Sequence, residues 1–251
     1  STTIASGATL RLLGSRSYGS GTSLTGPGTL DLQGGTIDFT SGTTLGLPST
    51  GLINLSGATA NFSIGPLTMA NGLNMTGGTL TGSSDITVGN AALTVGTLSG
   101  TGSLTTSGAV SVGDITLSRT WNANGSTSLT GANIVRFSNG TINNSGSFGL
   151  DGTQVNPLLN NGGTNFFNNT GTLTKTTATV ANVGVALNNA MGASLNVSGG
   201  ALVLNSALNN ALGATIAVSA GTLVLNSAGT EAGSTTIASG ATLRLLGSRS
   251  Y

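Results

Sequence analysis

The 251 residues include no cysteine and no histidine. Disulfide frameworks, Cys/His zinc sites and nucleophiles activated by histidine are therefore excluded. The lack of cysteine suits a bacterial exported protein that stays unfolded while it crosses a membrane. Charge is scarce as well, with seven Lys and Arg against six Asp and Glu. That is 5% of the chain, where an ordinary soluble domain carries about 25%. A surface this neutral gains little from counterion release, so nucleic acid is not an expected partner. No apolar run approaches the ~20 residues of a membrane helix, so membrane insertion by this segment is not expected. Disorder normally requires low hydrophobicity with high net charge, and 37% hydrophobic residues argue against it. No leader pattern stands at Ser1, and the chain reads as an internal fragment of something longer.

What fills the space is glycine, 42 residues of it, with Ser, Thr and Asn in most polar positions. The pattern is repetitive at two scales. Ser1–Tyr18 and Ser234–Tyr251 are identical, STTIASGATLRLLGSRSY, 233 residues apart. Residues 1–233 thus form one long period, and 234–251 open the next. Arg244 and Arg249 duplicate Arg11 and Arg16, so one period holds five basic and six acidic residues, a net charge of −1.

The shorter scale shows at 186–227. Ala186–Ser206 reads ALNNAMGASLNVSGGALVLNS and Ala207–Ser227 reads ALNNALGATIAVSAGTLVLNS, with 15 of 21 positions identical. Each unit contains two short segments that alternate apolar and polar residues between Gly, Ser and Asn, which is the mark of strands. Looser copies run through the chain, as in Gly28-Thr-Leu-Asp-Leu32 and Gly108-Ala-Val-Ser-Val112. Helix is disfavoured by the glycine density. A barrel or sandwich would not produce near-identical adjacent 21-mers. The pattern predicts an all-β chain, a parallel β-solenoid of about eleven coils of roughly 21 residues spanning 1–251 as a single segment. Strict hexapeptides are absent, which favours a right-handed β-helix. Coils at ~4.8 Å would make a rod roughly 50 Å long per period.

Asparagines recur in step with the coils. Asn168-Asn169, Asn188-Asn189 and Asn209-Asn210 are spaced by 20 and 21 residues, and Asn205 and Asn226 by 21. Stacked coils would place these amides above one another, where they bond along the axis as ladders. A ligand-binding row of amides is the alternative. Pro27, Pro48, Pro66 and Pro157 read as turn or strand-edge residues.

Candidates for chemistry are few. Asp31 and Asp38, in LDLQGGTID, are the only acidic residues close in sequence. A glycosidase needs two carboxylates ~5–9.5 Å apart. With no cation nearby in sequence, the pair reads as solvated surface charge, so no catalytic residue, metal ligand or cofactor site is assigned. Trp121 is either a core residue in a wide turn or an exposed platform for glycan stacking. Phe166-Phe167 is expected where both strand faces are covered. Neither the calcium-binding nonapeptide nor a face of recurring T-x-T triplets is present.

Gly233–Ser248, GSTTIASGATLRLLGS, resembles the autotransporter passenger-associated β-strand repeat, roughly G-x-T-T-I-x-x-G-T-L-x-L. The resemblance also covers Ser1–Ser15 and is looser in the Gly-Thr-Leu fragments elsewhere. It implies a right-handed parallel β-helix, secretion to a bacterial surface, and use as an adhesin, stalk or fibre. The expectation is a non-enzymatic segment of a giant extracellular filament. Further copies of itself would be its partners, in tandem or by end-to-end and lateral association. A glycan-binding adhesin region and a carbohydrate-active β-helix enzyme are the alternatives.

Overall fold

A computed structural model describes residues 1–47, 51–69 and 72–251. Pro48 lies outside the described residues. Every regular element among them is a strand, and the pairings between strands are parallel. The chain is a β-solenoid of stacked coils, about twelve turns in all and about 21 residues apart. Its residues fall into two compact units, Ser1–Trp121 and Asn122–Tyr251.

In the first unit each early coil contributes three strands. Thr2–Thr3, Thr9–Leu12 and Arg16–Tyr18 pair with Ser23–Thr25, Thr29–Leu32 and Thr36–Phe39. The latter two both pair with Leu52–Phe62, an eleven-residue strand. Leu73–Thr81, Ala91–Leu98 and Ala109–Leu117 then stack in order on it. Alternation turns every second residue inward, so Leu30, Leu32, Ile37, Phe39, Ile53 and Leu55 are fully buried. Full burial of each such side chain stabilises by about 1.5–3 kcal/mol. Coil length varies, since Leu73 pairs with Ala91 but Leu30 with Ile53.

The second unit keeps three strands per coil. One column runs through Ser126–Leu129, Ser147–Leu150, Thr172–Lys175, Ser194–Val197, Thr215–Val218 and Ser234–Ile237. Another runs from Val135–Phe137 through Leu158–Asn160, Val180–Val183, Ala201–Leu204 and Thr222–Leu225 to Thr242–Leu245. The third begins at Thr141–Asn144 and passes Phe166–Asn169, Ala186–Asn189, Leu208–Asn210 and Gly229–Glu231 to Arg249–Ser250.

Corners follow from the same short repeats. In the two 21-mers Ala193 N donates to Ala190 O and Ala214 N to Ala211 O, both at 2.9 Å. Gly192 and Gly213 hold φ of 82° and 80° at the third position, as a type II turn requires. Pro27, Pro66 and Pro157 lie outside the strands.

Candidate functional site

Consecutive residues on a strand face opposite sides, so each Asn-Asn pair is split between interior and surface. Asn144, Asn169, Asn189 and Asn210 point inward and are fully buried. Asn144 Nδ2 donates to Asn169 Oδ1 at 2.7 Å, Asn169 Nδ2 to Asn189 Oδ1 at 2.8 Å, and Asn189 Nδ2 to Asn210 Oδ1 at 2.8 Å. Asn210 Nδ2 closes the column on Glu231 Oε1 at 2.7 Å. The second hydrogens also find acceptors, Asn144 on Thr172 O, Asn169 on Ser194 O and Asn189 on Thr215 O. Burial of an amide without such partners would cost a few kcal/mol.

The outer column is Asn122, Asn143, Asn168, Asn188 and Asn209, all half-buried. Its bonds run the other way along the chain. Asn143 Nδ2 donates back to Asn122 Oδ1, Asn168 to Asn143, Asn188 to Asn168 and Asn209 to Asn188, at 2.8–2.9 Å. Asn226 Nδ2 likewise donates back to Asn205 Oδ1 at 2.7 Å, on an exposed part of the coil.

Asp31 and Asp38 differ from the expected surface pair. Asp31 is buried and accepts from Arg11 Nε at 3.2 Å, Gln33 Nε2 at 2.8 Å and Ser56 Oγ at 3.3 Å. Asp38 accepts from Asn61 Nδ2 at 3.0 Å. The cation missing from the local sequence stands one coil earlier, paired in register with Asp31. Three donors thus hold the Asp31 carboxylate in place.

Arg119 and Lys175 are buried as well, each in step with an inward residue two positions away, Trp121 and Leu173. Arg119 is buried, with Nε on Gly102 O at 2.7 Å and a terminal nitrogen on Ser103 O and Ser84 O at 3.1 and 3.2 Å. Burial lowers its pKa to about 10, with the Asp85 charge pulling the other way. The backbone and hydroxyl of Ser103, both 2.8 Å away, hold the Asp85 carboxyl below its ordinary value. Lys175 is fully buried, and its ammonium donates to the carbonyl and hydroxyl oxygens of Thr177. Burial pushes its pKa down, opposed by Asp151.

Trp121 is fully buried, with Nε1 donating to Thr106 Oγ1 at 3.0 Å. The platform reading is thereby corrected, because the ring presents no face to a glycan. Phe167 is fully buried but Phe166 is 38% exposed, so one strand face is open where two covered faces were expected. A ring stack also forms across coils, without the repeated motif that marks the asparagines. Tyr18, Phe39 and Phe62 lie one above another, with centroids 5.3 and 4.9 Å apart and planes within 12°. Their spacings of 21 and 23 residues are the available signal.

Among the described residues no three acidic side chains gather as metal ligands. No helix there is long and apolar enough to cross a membrane. Comparison with protein-family models, with curated proteins and with solved structures gives no match to this chain.

Proposed function

We propose that this chain is a structural segment of an extracellular filament or adhesin stalk at a bacterial surface, with no enzymatic role. The observation that carries the reading is the destination of its polar side chains. The buried amides, the buried carboxylate of Asp31 and the guanidinium of Arg119 bond to neighbouring coils instead of converging on a shared cleft. Such contacts hold coil to coil, as a stalk or spacing element requires. Support also comes from the long period and from the resemblance to passenger-associated β-strand repeats. With only 5% charged residues, cohesion of the coils depends little on screened surface charge.

The test is surface labelling of intact source cells with antibodies raised against the purified chain. Labelling along surface fibres before permeabilisation is the expected result. Signal that emerges only after permeabilisation would overturn the reading.

A further inference from the structure

The eighteen residues that occur twice are seen once with each kind of neighbour. The first copy, Ser1–Tyr18, pairs with the coil that follows it, through Ser23–Thr25, Thr29–Leu32 and Thr36–Phe39. The second copy pairs with the coil that precedes it, through Thr215–Val218, Thr222–Leu225 and Gly229–Glu231. The two together show both edges of one coil.

These edges use different backbone atoms. Toward the following coil, Ile4 N donates to Thr25 O, while Ala8 O and Leu12 O accept from Thr29 N and Gln33 N. Toward the preceding coil the donors are Ser234, Ala238, Thr242 and Leu246, which correspond to Ser1, Ala5, Thr9 and Leu13. Neither set blocks the other, as the alternation of a parallel strand requires.

The two arginines divide in the same way. Arg11 reaches forward to Asp31. Arg249, the counterpart of Arg16, reaches back to Leu208 O at 3.0 Å, Thr230 O at 3.2 Å and Glu231 Oε2 at 3.0 Å. Its side chain is 3% exposed. Arg16 is exposed and donates to Leu13 O at 3.4 Å. Each edge thus has its own arginine and its own acidic partner.

We propose that the coil edge formed by Thr215–Val218, Thr222–Leu225 and Gly229–Glu231 is a receptor for Ser1–Tyr18 of a second copy of the chain. Arg16 of that copy takes the place of Arg249 on Glu231, and copies join head to tail. This rests on the structural reading above and names its partner. In a single chain the receptor holds its own tail, Ser234–Tyr251, which is favoured by a tether's effective concentration of order mM. Exchange grows when the tail is weakened.

The chain has no cysteine, so disulfide trapping is clean. Thr230 pairs with Ser250, whose first-copy counterpart is Ser17, and adjacent parallel strands bring such positions within disulfide range. A full-length acceptor carrying Thr230→Cys and Arg249→Ala is refolded with a full-length donor carrying Ser17→Cys, then oxidised. The expected product is an acceptor–donor disulfide well above that from a donor with Ser128→Cys on an exposed face. Its yield should fall about tenfold or more with Arg16→Ala in the donor or Glu231→Ala in the acceptor. A second acceptor, with Leu243→Asp in place of Arg249→Ala, should exchange equally well. A yield equal to the Ser128 control, or one indifferent to Arg16, overturns the proposal. So does failure of Thr230→Cys with Ser250→Cys to close within one chain, since the edge would then not hold this sequence. A chain that labels on cell surfaces yet gives no exchange keeps the structural reading and loses only the receptor.

Discussion

The first unit stacks rings where the second stacks amides. Tyr18, Phe39 and Phe62 sit with centroids 4.9–5.3 Å apart and nearly parallel planes. The buried asparagines repeat at one coil's rise too, but through directed bonds of 2.7–2.8 Å. A ring stack is held by burial and dispersion and tolerates lateral slip. An amide column tolerates none, because a displaced amide leaves a buried donor and acceptor unmatched. The second unit accordingly keeps its column through coils of unequal length, with Asn144 to Asn169 spanning 25 residues and Asn169 to Asn189 spanning 20. The surplus goes into a loop, where Asn165 accepts from Gly140 N at 2.8 Å and donates to Asn160 Oδ1 at 2.8 Å and Gly162 O at 2.9 Å. Register is fixed by the column and length is absorbed at the corner.

Three substitutions would break or sharpen this contrast, each read by urea unfolding followed with far-UV circular dichroism. The largest loss is expected for Phe39→Ala, which empties the middle of the ring stack and should cost about 3–5 kcal/mol. Trp121, buried in the same unit, should report that loss by fluorescence. Next comes Asn189→Leu, of similar volume but without partners for Asn169 Nδ2, Asn210 Oδ1 and Thr215 O. Its expected cost is about 2–3 kcal/mol, and a neutral result would show that the buried column gives register without stability. The smallest effect belongs to Asn188→Leu in the outer column. There the released amides of Asn168 and Asn209 turn to water, so the loss should stay below about 1 kcal/mol. Equal costs at 188 and 189 would remove the distinction between the columns.

Much of this was legible because a solenoid converts sequence period into spatial contact. The paired 21-mers point to stacked coils, and the recurrence of Asn-Asn points to amides above one another. The division of each pair into a buried and an exposed member follows from strand alternation alone. The setting of Asp31 was less legible, because its partner Arg11 lies twenty residues away along the chain and directly beside it in the fold. Tyr18, Phe39 and Phe62 are hidden in the same way, since they meet only across coils and stand in strand motifs that look unrelated. The burial of Arg119 and Lys175 was not legible. Their acceptors are backbone carbonyls of Gly102, Ser84 and Ser103 for Arg119 and of Thr177 for Lys175, groups that every residue carries and no residue type marks.

The opposed directions of the two amide columns have an electrical consequence. Amides aligned head to tail add their dipoles, as peptide groups do along an α-helix, and a single column would place partial charge at its ends. In the buried column the positive end faces Glu231, whose carboxylate neutralises it and is itself met by Arg249. In the outer column the same groups point the opposite way, so the two fields cancel along their shared length. Coils that extend both columns together therefore add no growing potential at either end of the pair.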